Sequence, residues 1–134
     1  MSGQQAYLDE IVAGCAAIQD WLAGVATSDA ALDAMMAHFA PQFTMIGTDG
    51  ALYDHAATRA LFARLAGRKP GLVITFSELH VLSAYPGGAV ASYCEHQTDA
   101  TGELPARRAT VVLVRDAAGG AVRWAHLQET FCKD

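Results

Sequence analysis

A chain of 134 residues with 52% apolar and 17% charged side chains is long enough for one packed core, too short for two, and too apolar to stay disordered. Fourteen acidic against nine basic residues give a formal charge of -5, which opposes nucleic acid and acidic membrane surfaces as partners, since both reward clustered Lys and Arg. Cys15, Cys94 and Cys132 are odd in number and outside any CxxC pair, and the N-terminus lacks the basic start and apolar run of an export signal, so a reduced, soluble, cytoplasmic domain is expected.

From about Gln5 to Leu22 the apolar positions Leu8, Ile11, Val12, Cys15, Ile18 and Leu22 recur at three- and four-residue spacing, which predicts an amphipathic helix widened by Tyr7 and Trp21. Gly24 to Ser28 breaks it, and Thr27 or Ser28 can cap a second helix by accepting its orphan N–H groups. Leu32, Met35, Met36 and Phe39 form that helix's apolar face, with Pro41 expected to stop it. Phe43 to Gly47 reads as a short strand, Thr48-Asp49-Gly50 as a turn, and Leu52 and Tyr53 as the return arm. Asp54 caps a third helix from about His55 to Leu65, which buries Leu61, Phe62 and Leu65 before Gly67 to Gly71 ends it.

The rest is strand. Leu72 to Ala84 is rich in Val, Ile, Thr and Phe, and Tyr85-Pro86-Gly87-Gly88 turns it onto a partner at Ala89 to Asp99. After a turn at Ala100 to Glu103, residues 105–115 and 122–132, joined by Ala118-Gly119-Gly120, complete a meander. Three helices followed by a long antiparallel sheet predict an α+β fold with the helices on one face. Alternation along the last strand puts Trp124, His126, Gln128 and Thr130 on one face and Ala125, Leu127, Glu129 and Phe131 on the other. Neither face is purely apolar or polar, which suggests a sheet that both packs on a core and lines a partly polar hollow.

No GxSxG, GxxxxGK[ST], strand-linked GxGxxG or HExxH pattern occurs, and the histidines at 38, 55, 80, 96 and 126 share no ligand spacing on one element. No metal or other cofactor is expected. His126 is the first candidate for catalysis, because it alternates with Trp124 and Gln128 and can exchange a proton near neutral pH; the alternative is a half-buried histidine hydrogen-bonded within the sheet. Glu95 is the second. It shares a face with Tyr93 and Gln97, and would be a base or anchor if it faces a cavity, or an ion-pair partner of Arg107 or Arg108 if it does not; a one-residue slip reverses the choice. Trp21, Met36, Phe39, Tyr93, Arg108, Trp124 and Gln128 are the expected pocket lining, the helical members being core residues that also wall a cavity. Asp49 is explained by its turn.

Helix, helix, FAPQFTMIGTDG, a third helix, then long strands with Arg108-Ala109-Thr110, Arg115-Asp116 and a Trp124 strand carrying His126 form an order that resembles the NTF2-like superfamily, in particular its SnoaL-like and DUF4440 group of small bacterial proteins. The resemblance covers nearly the whole chain. It implies a cystatin/NTF2-like cone in which three N-terminal helices pack on a strongly curved, mixed, mainly antiparallel sheet and leave a pocket. It also implies a homodimer through the outer sheet face, with Ala125, Leu127 and Phe131 toward the partner. Members of that group include steroid isomerases, polyketide cyclases, dehydratases and many proteins with no assigned reaction. A rough match through FAPQFTMIGTDG puts the isomerases' general-base aspartate at Gly47, which has no side chain to take a proton. The expectation is therefore a domain binding a small, partly apolar organic ligand, with a cofactor-free isomerase, cyclase or dehydratase as the alternative.

Overall fold

The computed structural model describes residues 3–117 and 120–133. Its helices are α1 (Gln4–Ala23), α2 (Asp29–Met36) and α3 (His55–Leu65), each bounded by the chemistry that helix ends require. Gly24 takes the left-handed conformation that closes α1. The Ser28 hydroxyl accepts the Ala31 N–H at 3.1 Å, and Asp54 Oδ1 accepts the Ala57 N–H at 2.8 Å, capping α2 and α3.

The strands are β1 (Phe39–Ile46), β2 (Leu52–Asp54), β3 (Val73–Tyr85), β4 (Gly88–Asp99), β5 (Gly102–Glu103), β6 (Arg107–Arg115) and β7 (Val122–Phe131). They form one sheet in the order β2-β1-β7-β6-β4-β3, with β5 beside β4. Among the described residues only β1 and β7 run parallel; the other pairs are antiparallel. The result is an α+β fold with three helices on a mixed, mainly antiparallel, curved sheet. Register shifts at Ser77/His80 and Val81/Ser83 on β3, and at Val112/Leu113 between β6 and β7, insert unpaired residues, and such bulges bend a strand.

The inner face buries Phe43, Met45, Ala89, Ala91, Tyr93, Ala109, Val111, Leu113, Trp124 and Leu127 against Tyr7, Ile11, Cys15 and Leu22 of α1, Met35 of α2 and Phe62 of α3. Trp124, with 0% exposure, sits under Gly14. A Cβ at that position would lie 2.9 Å from the indole nitrogen, so glycine is what lets α1 approach. Among the described residues no helix is long and apolar enough to cross a membrane.

Two expectations change. Phe39 does not extend the apolar face of α2, which ends at Met36; it opens β1, and Pro41 lies inside that strand instead of stopping a helix. Proline forces the preceding residue into extended backbone, and the break in β1–β7 pairing between Phe39 and Thr44 accommodates its missing N–H. The turn expected at Ala118-Gly119-Gly120 falls, in its first two residues, outside the described residues.

Candidate functional site

A recess of about 170 Å³ opens between the C-terminal half of α1, α3 and the inner face of the sheet. Ile18 and Leu22 of α1, Leu61, Phe62 and Leu65 of α3, Met45 of β1 and Leu127 of β7 supply apolar walls. Its polar end is built from Glu95 and Gln97 on β4, Arg107 on β6, Glu129 on β7, and Lys69 on the loop after α3. Glu95 is 5% and Gln97 4% exposed. A wider groove of about 590 Å³ at the opposite end, walled by Tyr7, Tyr85 and Arg115, is shallower, and there the Arg115 guanidinium lies over the Tyr7 ring at 5.6 Å.

The polar end is a set of short contacts. Lys69 Nζ donates to Gln97 Oε1 at 3.0 Å, and Gln97 Nε2 donates to Glu95 Oε2 at 2.5 Å. Arg107 stands opposite Glu95 in the β4–β6 ladder and donates to Glu129 Oε1 at 3.4 Å, long for a hydrogen bond. Its Nε is buried with no hydrogen-bond partner among the described residues. On the other side, Arg107 lies over the Phe131 ring at 5.5 Å. Burial, then the neighbouring Glu95 charge, raises the Glu129 carboxyl above the usual range, with Arg107 pulling the other way. Burial and the Arg107 charge lower the Lys69 ammonium. Deeper in, burial pushes the Cys15 thiol and Tyr93 phenol well up, so both stay neutral.

The expected face of Trp124, His126, Gln128 and Thr130 does not form. Val112 pairs with His126 and Leu113 with Trp124, so Ala125 is an extra residue that β6 does not match. The bulge flips everything beyond it: Trp124, Leu127 and Glu129 face the recess, while His126, Gln128 and Thr130 turn to the outer face. His126 Nδ1 instead shares a 2.7 Å hydrogen bond with Thr44 Oγ1, within the sheet. Leu127, expected toward a partner subunit, is a recess wall for the same reason.

Of the other expected residues, Glu95, Tyr93 and Trp124 line the recess and Arg108 does not. Arg108 points outward to Glu78 at 3.3 Å, because Arg107 occupies the inner position of β6. The expected ion pair of Glu95 with either arginine is replaced by the Gln97 contact. Trp21 is a buried brace whose indole N–H donates to the Phe62 carbonyl at 2.7 Å. Met36 and Phe39 border a separate shallow groove with His55 and Arg59. Lys69, Arg107 and Glu129 were missed as lining. A readable signal existed for Glu129, a carboxylate alternating with Leu127 and Phe131, the pattern of a charge facing inward. Among the described residues, no three or more His, Cys, Asp or Glu side chains gather as a metal centre would require.

Comparison with known proteins follows the same outline. Residues 15–131 match the SnoaL-like domain family. An NTF-2 like protein of unknown function from Pseudomonas aeruginosa is 44% identical, with 96% of this chain and 99% of that one covered and a TM-score of 0.89. A protein of unknown function with a cystatin-like fold from Nostoc punctiforme (13% identity, 93% and 90% covered, TM-score 0.70) and an NTF2-like protein from Cytophaga hutchinsonii (13%, 98% and 100%, 0.76) share the fold. No curated protein matches.

Proposed function

This chain belongs to the SnoaL-like family of NTF2-like proteins, and from that premise we propose that it binds a small, partly apolar organic molecule in the recess between α1, α3 and the sheet. One observation carries the reading: apolar walls converge on a polar end made of buried Glu95 and Gln97 and partly buried Arg107, Glu129 and Lys69. A fold that needed only a core would not bury two carboxylates there, since each loses hydration on burial. At about 170 Å³ the recess lies below the roughly 300–1,000 Å³ of drug-sized sites, so the ligand is small. Backbone amide NMR during titration with a fragment set tests this. Shifts are expected at Leu65, Lys69, Leu127 and Glu129; shifts clustered on the outer sheet face would overturn it.

A second reading, proton-transfer catalysis without cofactor, is favoured by the raised Glu129 carboxyl facing Glu95. Glu129 would be the acid and Glu95 the base, the pair divided by environment. Glu95→Gln and Glu129→Gln would then each lower turnover by about 10²–10⁴-fold with ligand affinity largely kept. Turnover unchanged from the natural chain in both variants would remove this reading and leave the first.

A homodimer through the outer sheet face is part of the same proposal. Its support is that half-buried Val90, Val112 and Val114 lie there without cover from the helices. Sedimentation is expected to give twice the 14.1 kDa of one chain; a monomer at micromolar concentration would contradict it.

A further inference from the structure

The ligand's polar group can be read from Arg107. Its Nε is a buried nitrogen without a hydrogen-bond partner among the described residues, in a side chain that lines the recess. An unmet guanidinium N–H in a water-poor site costs free energy until a ligand oxygen meets it. Resting on the recess reading above, we propose that the ligand is a small monocarboxylate whose carboxylate lies against Arg107 and Lys69 and whose aliphatic or aromatic body lies along Ile18, Leu22, Leu61 and Leu65.

Charge and shape agree. Arg107 and Lys69 both line the recess, so one anion can be shared between two cations. Arg68, Lys69 and Arg107 line the recess with Glu95 and Glu129, three cations against two carboxylates, an excess of one positive charge that a monoanion would balance. Nε and one terminal nitrogen of a guanidinium form the fork that matches a planar carboxylate. Glu129 takes Nη1, the terminal nitrogen on the Cδ side, at 3.4 Å, which is not the one that forks with Nε. The apolar walls exclude a highly charged body, and the volume limits it to a short chain or a single ring.

Calorimetric titration of the full chain at neutral pH, with hexanoate and benzoate against hexanamide and benzamide, tests the assignment. Each acid is expected to bind at least about tenfold more tightly than its amide, the scale of charge-assisted hydrogen bonds. Arg107→Gln should bring acid and amide within about threefold of each other. Lys69→Met, on a loop outside the sheet, should narrow the gap in the same direction and keeps the test independent of the strand ladder. Amides binding as tightly as acids would overturn the carboxylate assignment while leaving the recess as the binding site. Acids and amides both failing to bind would overturn the assignment together with the recess reading.

Discussion

A carboxyl buried beside a second carboxyl weakens the fold that holds it, and Glu129 is in that position. Because its folded pKa is raised, the stability linked to its proton is full below the unfolded value and is lost as pH rises through the folded one. Glu129→Gln is therefore expected to raise the free energy of unfolding in urea at pH 8 by about 1 kcal/mol, and to change it little at pH 4. Equal effects at both pH values would mean that burial of the charge is not the cause. His38 shows the same sign by another route. Its Nδ1 donates to Glu10 Oε2 at 2.6 Å, and that contact raises its pKa. Glu10 also accepts the Trp124 indole N–H at 3.2 Å, so one carboxylate joins α1 to the start of β1 and to β7. Stability from His38 is full below its unfolded pKa and fades as pH rises through the higher folded value. After discounting for partial exposure, the loss is at most about 1 kcal/mol. Glu10→Gln should flatten that slope in denaturation curves taken between pH 6 and pH 8.

At the scale of elements, regular alternation was legible and its interruption was not. On β4, Tyr93, Glu95 and Gln97 share the inner face as their spacing implies, because no register shift falls between Tyr93 and Glu95 in the β4–β6 ladder or between Glu95 and Gln97 in the β3–β4 ladder. On β7, Ala125 breaks the count, and an alanine in a strand carries no mark of a bulge; the residues beyond it, His126 and Gln128, were consequently assigned to the recess and Glu129 away from it. The helices were readable through their caps and stripes, whereas the conversion of Phe39 from helix to strand depended on Pro41 acting upstream on backbone geometry. Two substitutions test the packing of these elements. Gly14→Ala gains roughly 1 kcal/mol of helix propensity but forces a Cβ to within 2.9 Å of the fully buried Trp124 ring. Overpacking costs about 1–3 kcal/mol, so the melting temperature should fall. Asp54→Ala removes the cap of α3 and should cost about 1 kcal/mol, loosening the helix that carries Leu61, Phe62 and Leu65. An unchanged melting temperature in either variant would show that the contact is not structural.

For the whole molecule, a curved sheet and three helices enclose a hollow whose interior is not fully apolar. Fold membership explains that a hollow exists, and the particular side chains decide what it holds. Family resemblance made the cone legible from sequence, but Lys69, Arg107 and Glu129 come from a loop and two strands and meet only once the chain is folded. The most direct test is to fill the recess. Leu65→Trp enlarges an apolar wall away from the polar end, and ligand-observed NMR can compare fragment binding by the two proteins with their melting curves. Fragments that bind the natural chain are expected to be lost by Leu65→Trp while the melting temperature stays within a few degrees; undiminished binding by a folded Leu65→Trp protein would contradict the assignment of the recess as the functional site.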